Sequence, residues 1–304
     1  MQKISPTAGF DSVLILCTDF YRIASLPNLK ELKFVNSKTD SASPVLFENL
    51  ASLKNLDMWS CELTQSSLRI ATLPELKELN LSGTTINSAG SVVIENLDSL
   101  EKLNMRTCNL TKSSFRISSL PNLKELNLPG SEMCSAGAAV NKNLDSLEKP
   151  GSHSSNPITQ FFRIATISEL KQLDLSGSEI ESSGSVVIEN LDSLEKLDMR
   201  TCNLTKSSFR IASLPNLKEL NLSNSKMDCA SSVLIENLAS LKKLDMRCCK
   251  LTQSSLRIAT ISKLKQLDLS GSEIEAAGSV VIENLDSLEK LHMRTCNLNK
   301  SSFR

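Results

Sequence analysis

The segment Leu76-Lys-Glu-Leu79-Asn-Leu81 decides how this chain folds, because its text keeps returning. It reads Leu29-Lys-Glu-Leu32-Lys-Phe34, then Leu53-Lys-Asn-Leu56-Asp-Met58. It returns as Leu100-Glu-Lys-Leu103-Asn-Met105 and Leu123-Lys-Glu-Leu126-Asn-Leu128. After a gap its second leucine falls at Leu173, Leu197, Leu220, Leu244, Leu267 and Leu291. The step alternates between 24 and 23 residues, so two steps make 47. Residues 163–210 and 257–304 differ at five positions, which tandem duplication of a four-repeat block explains most simply. In L-x-L the alternation has period two, so the leucines point one way and the intervening residues the other. One strand per repeat stacks into a parallel sheet, and a lone repeat cannot bury its own leucines.

The frame L-x-x-L-x-L-x-x-(C/S/T)-x-(L/I/M) resembles the leucine-rich repeat family over roughly residues 20 to 304. At the ninth position, where that family has Asn or Cys, Cys here alternates with Ser or Thr. The resemblance implies an α/β solenoid with a curved parallel β-sheet on its concave face and short helices or 3-10 turns on its convex face. Stretches such as Ser91-Val-Val-Ile-Glu-Asn-Leu97 carry apolar residues at roughly helical spacing and supply those outer turns. Leu-Pro-Asn-Leu at 120–123 turns the chain back. Residues 1–20 read as an N-terminal strand or incomplete cap, and 21–304 as about twelve repeats with no C-terminal cap. At about 4.8 Å per strand the array spans on the order of 55 Å.

Charge and composition narrow the function. Lys plus Arg is 34 and Asp plus Glu is 34, so no strongly basic face favours nucleic acid. Aromatics are 4%, so the core must be aliphatic. The apolar run Val13–Cys17 is too short for a leader core or a membrane span. A soluble, cytoplasmic protein is the expectation.

Nine cysteines invite a disulfide or metal reading. Their register argues for a structural ladder instead. Cys61, Cys108, Cys202, Cys249 and Cys296 share one inward position, which Ser37, Thr84, Ser131, Ser178, Ser225 and Ser272 hold in the intervening repeats. Ladder cysteines lie at least two coils apart, roughly 9 to 10 Å, beyond disulfide reach. Free thiols in number suit a reducing compartment. Cys17, Cys134, Cys229 and Cys248 stand outside the ladder, with no zinc spacing.

Candidate binding residues lie on the polar side of the leucine strands. Between the two strand leucines come Lys33, Asp57, Asn80, Asn104, Asn127, Gly151, Asp174, Asp198, Asn221, Asp245, Asp268 and His292. Two residues later come Val35, Trp59, Ser82, Arg106, Pro129, His153, Ser176, Arg200, Ser223, Arg247, Ser270 and Arg294. The result is an Asp/Asn stripe beside a Ser/Arg stripe. One reading is a polar surface that compensates its own charges. The other is a recognition strip for a protein partner, with Trp59, the sole Trp, as its anchor. Lys77-Glu78, Glu101-Lys102 and Lys124-Glu125 place opposite charges on adjacent coils and read as register pins worth a few tenths of a kcal/mol each. Gly83, Gly130, Gly177 and Gly271 mark a turn leaving the strand.

Enzyme chemistry finds no footing. No catalytic, cofactor or metal residue is expected. His292 sits beside Asp268, but Cys296 faces inward, away from any Cys–His dyad. Asp245 and Asp268 are neighbours on an open surface without a cleft. No phosphate-cradling glycine motif occurs. Asn-x-Ser/Thr matches at Asn80, Asn109, Asn203 and Asn221 arise from the repeat's own text.

One coil is damaged. Leu103-Asn-Met105-Arg-Thr-Cys108-Asn-Leu110 has its counterpart in Pro150-Gly-Ser152-His-Ser-Ser155-Asn-Pro157, with length kept and content lost. The degenerate repeat covers about 147–163, and a weak coil, bulging loop or hinge over 149–161 is expected, because Pro150 and Pro157 cannot donate to a ladder. Two compensating frameshifts would produce such a block. The text stops at Ser-Ser-Phe-Arg304 in mid-coil, which suggests a fragment, a degenerate gene copy, or self-association through uncapped ends. The expected function is a non-enzymatic protein-protein interaction scaffold without cofactor. The alternative is a secreted or surface adhesion module whose leader lies outside this text.

Overall fold

The structure is a computed structural model describing residues 12–15, 22–24, 26–39, 45–48, 50–63, 68–86, 91–108, 114–118, 120–130, 139–140, 162–165, 167–178, 185–203, 208–211, 214–227, 233–250, 256–259, 261–274 and 280–298. The leucine text forms a parallel sheet of 12 strands, from Ser12–Ile15 and Glu31–Phe34 to Gln266–Asp268 and Lys290–His292. Register aligns the repeated leucines in a column: Leu56 faces Leu79, Leu79 faces Leu103, and Leu197 faces Leu220. Those side chains are buried, and the residues on either side are half-buried or exposed, as period two demands.

The outer side corrects an expectation. Ser91–Glu95, read from its spacing as a helical turn, is a strand. It belongs to a second parallel sheet of 12 strands, from Arg22–Ala24 to Val280–Glu283. No helix occurs among the described residues. The run Val92-Val93-Ile94 fits either period, and β-branched side chains prefer the pleated surface. Ile94 pairs with Ile70 and Ile117 in the adjacent strands. Ile70, Ile94, Ile188, Ile211, Ile235 and Ile258 are buried against the leucine column. The core is therefore an aliphatic filling between two sheets. A third, sparser row of pairing links Lys38–Thr39, Glu62–Leu63 and Thr85–Ile86.

Each coil turns its corners with left-handed residues. Three residues beyond the stripe position lie Asn36, Ser60, Gly83, Thr107, Gly130, Gly177, Thr201, Asn224, Cys248, Gly271 and Thr295, with φ between 51° and 73°. Gly occupies this position in four of these eleven coils, as its turn role favours. The outer strands end likewise at Thr72, Asn96, Asn190, Asn237 and Asn284, where Asn tolerates the conformation best among residues with a side chain. The return turns close where Leu76 donates to Leu73 at 3.2 Å and Leu123 to Leu120 at 3.3 Å.

The damaged coil leaves a definite trace. In the leucine sheet, strand Glu125–Asn127 pairs directly with Gln172–Asp174. The Leu128 amide donates to Asp174 at 2.7 Å and the Gly130 amide to Ser176 at 2.7 Å. The second sheet skips nothing there, for Ala139–Val140 and Phe162–Ala165 pair in turn between Ser114–Ser118 and Ser185–Glu189. The stretch 149–161, where a hinge is expected, lies outside the described residues. At the far end, Leu291 is 48% exposed, and Leu285, Leu288 and Met293 are only partly covered.

Replacing Leu220 by Ala removes a buried side chain from this column and should cost about 3 kcal/mol, read by chemical denaturation. Gly271→Ala should cost about 1 kcal/mol, because φ there is 73° and the new Cβ would lie 2.9 Å from the Cys248 Sγ.

Candidate functional site

The inward ladder is a chain of hydrogen-bond donors. Each thiol or hydroxyl donates to the carbonyl that ends the leucine strand of the preceding coil. Cys61 Sγ donates to Phe34 at 3.3 Å, Cys108 to Leu81 at 2.9 Å, Cys202 to Leu175 at 3.1 Å and Cys249 to Leu222 at 3.0 Å. In alternate coils Thr84 donates to Met58 at 2.8 Å, Ser225 to Met199 at 2.7 Å and Ser272 to Met246 at 2.6 Å. Ser225 also accepts from the Cys202 amide at 3.1 Å. The ladder crosses the damaged coil without a break, since Ser178 donates to Leu128 at 3.1 Å. All described cysteines are free. Burial pushes the Cys108, Cys202 and Cys249 thiols up to about 12 and Cys61 to about 11. Cys17, Cys134 and Cys229 lie outside the described residues.

The Asp/Asn stripe has an internal duty that residue type alone did not reveal. At eight positions the side-chain oxygen accepts from the backbone amide two residues on, closing the corner before the left-handed residue. Asp57 accepts from Trp59 at 3.1 Å, Asn80 from Ser82 at 3.0 Å and Asn104 from Arg106 at 3.2 Å. Asp174 accepts from Ser176 at 2.8 Å, Asp198 from Arg200 at 3.1 Å and Asn221 from Ser223 at 3.0 Å. Asp245 accepts from Arg247 at 3.1 Å and Asp268 from Ser270 at 2.9 Å. Expected to face solvent, these residues are half-buried instead, and Asp245 is buried. The signal was present in the invariant offset between each Asp or Asn and the turn residue three positions later.

The second stripe is uneven in height. Ser82 and Ser223 are buried and Pro129 is sunk among them, whereas Arg106, Arg200, Arg247 and Arg294 are exposed. Arg200 and Arg247 are tied down within their own coils. Arg200 NH2 lies 2.8 Å from Asp198, and Arg247 NH2 lies 2.7 Å from Asp245. Arg247 Nε also reaches Asp268 at 3.9 Å, so one guanidinium separates two neighbouring carboxylates. In the coils of Arg106 and Arg294 the stripe residue is Asn104 or His292, and no ion pair holds either guanidinium among the described residues. His292 Nδ1 lies 3.3 Å from Asp268 Oδ2. Burial works to raise the Asp268 pKa, but the Ser270 amide and hydroxyl and His292 outweigh it, and the carboxyl sits below its usual range. Cys296 Sγ donates to Leu269 at 2.8 Å, so its thiol is turned inward. Trp59 is 46% exposed and shares its register with Val35 and Ser82, which places it at the N-terminal end of the strip. Gly151 and His153 lie outside the described residues.

Other sequence signals resolve as follows. Lys124 meets Glu101 at 2.8 Å and Lys218 meets Glu195 at 2.9 Å, the coil-to-coil pairs expected from the alternating text. The Asn80 amide nitrogen donates to Asp57 at 2.9 Å, and Asn203 Oδ1 is buried without a hydrogen-bond partner among the described residues. Asn109 is outside the described residues. No group of three or more His, Cys, Asp or Glu arranged to hold a metal occurs among the described residues. Among them, too, no helix is long and apolar enough to cross a membrane.

With this geometry in hand, the fold is a leucine-rich-repeat solenoid: a repeated L-x-x-L-x-L frame, one leucine strand per intact coil, and a donor ladder at the ninth position. No family model matches the chain, and no curated protein matches it in sequence. Among solved structures it is similar to a leucine-rich-repeat protein of Leptospira interrogans, at 17% identity and a TM-score of 0.28, over 83% of this chain and 86% of that one. It is also similar to an internalin of Listeria monocytogenes, at 14% identity and a TM-score of 0.29, over 89% of this chain and 84% of that one.

The raised thiols predict an alkaline weakness. Unfolded thiols ionise from about pH 9, whereas the folded ones hold their protons to about 12. The folded state thus binds more protons in that window, and stability falls as pH rises through it. A Cys108→Ser, Cys202→Ser, Cys249→Ser variant should show a flatter dependence of unfolding free energy between pH 9 and pH 11.

Proposed function

We propose that this protein is a non-enzymatic scaffold that holds a protein partner along the polar side of its leucine sheet. The observation carrying this reading is Trp59, a large apolar side chain left 46% exposed on an otherwise polar strip. Aromatic and Arg side chains dominate the energetics of protein interfaces. Trp59 offers apolar area, and Arg106 and Arg294 offer guanidiniums that no carboxylate of the strip neutralises. Asp57, Asn80, Asn104, Asp174, Asp198, Asn221, Asp245 and Asp268 set the floor of the strip while closing its corners. Arg200, Arg247 and His292 complete its margin. Catalysis is not part of the proposal: the paired carboxylates Asp245 and Asp268 are bridged by Arg247, and burial keeps the Cys61, Cys108, Cys202 and Cys249 thiols protonated. A reducing, cytoplasmic setting suits a protein whose described cysteines are all free thiols.

Affinity capture from a native lysate with mass spectrometry would identify the partner. Trp59→Ala should then weaken its binding by about 2 kcal/mol, roughly thirtyfold. Arg106→Ala should weaken it less. Unchanged binding in both variants would move the interface off this face.

A further inference from the structure

We propose that the damaged coil is a wedge that bends the solenoid towards its leucine sheet. Two sheets joined strand to strand climb at the same spacing, about 4.8 Å per coil. Where each coil contributes one strand to each sheet, the two faces gain length together. The balance fails at one place. Between Lys102–Asn104 and Gln172–Asp174 the leucine sheet takes two steps, through Glu125–Asn127 alone. Over the same coils the second sheet takes three steps, from Ser114–Ser118 through Ala139–Val140 and Phe162–Ala165 to Ser185–Glu189. The second sheet is therefore longer by one strand spacing.

Packed sheets stand about 10 Å apart, so an extra 4.8 Å on one face opens an angle of about 25°. The leucine sheet lies inside that angle. Asn127 and Asp174 are register partners at its vertex. The coils carrying Arg106 and Arg200 flank the vertex and incline towards each other. The bend has a sequence cause: the damaged text lost its inward leucine and methionine, putting Pro150 and Ser152 at the positions of Leu103 and Met105. A strand with nothing to bury gains little from a place in the leucine sheet. The intact frames on either side, ending at Asn127 and Asp174, then pair with each other.

Distances across the two faces test this directly. Asn55 and Lys243 mark the leucine sheet, and Arg69 and Arg257 mark the second sheet in the same two coils. The leucine-sheet pair is seven steps apart and the second-sheet pair eight, which corresponds to about 34 Å and about 38 Å. Spin labels on a bio-orthogonal amino acid, read by double electron–electron resonance in the full chain, should report that difference of about one strand spacing. Equal separations on the two faces would overturn the wedge. In a second protein, residues 147–163 are replaced by the text of 100–116, restoring the lost strand. The leucine-sheet distance should then lengthen to about 38 Å while the other stays unchanged. A leucine-sheet distance unmoved by that graft would also overturn the proposal.

Discussion

The interaction on which everything else depends is the contact of each coil's leucine with the same leucine one coil away. A single repeat of 23 or 24 residues has an apolar face and nothing of its own to cover it. Leu79 is buried because Leu56 and Leu103 lie on either side of it. Stability is thus a sum over neighbours, and register must hold throughout. A slip of one residue would turn the leucines to water and the Asp/Asn stripe into the core. The corner chemistry guards against that slip. A side-chain oxygen closes the turn from one side, and a left-handed residue closes it from the other.

The same corner chemistry complicates any reading of the strip as a recognition surface. At eight of these positions the Asp or Asn is first of all a backbone acceptor, and its presence there follows from the fold. What is left over to contact a partner is the second oxygen of Asp57 and of Asp174, the guanidiniums of Arg106 and Arg294, which no ion pair holds among the described residues, and Trp59. The strip is also less charged than its composition suggests, because Arg200 and Arg247 are paired with Asp198 and Asp245. Exposed pairs of this kind add little stability, but they lower the cost of setting carboxylates side by side.

Much of this was legible in the text. The inward leucines, the ninth-position ladder and the turn glycines all followed from one spacing. Local periodicity states which side of a strand a residue occupies. It does not state the conformation of a run such as Val92-Val93-Ile94, which satisfies two periods at once. That ambiguity hid the second sheet. The corner acceptors were visible as a stripe, but their partners are backbone amides, which no residue name displays. Least legible was the direct pairing of Glu125–Asn127 with Gln172–Asp174. It joins segments 47 residues apart and depends on what the intervening chain fails to offer.

The ladder has one further consequence. Its buried thiols, Cys61, Cys108, Cys202 and Cys249, sit two or three strand steps apart along the body, each shielded by its neighbours and each holding its proton well above neutral pH. A reagent that attacks only ionised, accessible sulfur is blind to them while the coils stay stacked. As an end frays, the sulfur of the loosened coil becomes reactive before those deeper in. The molecule therefore carries its own set of chemical markers along its length, and the order in which they are consumed is a record of the direction from which it comes apart.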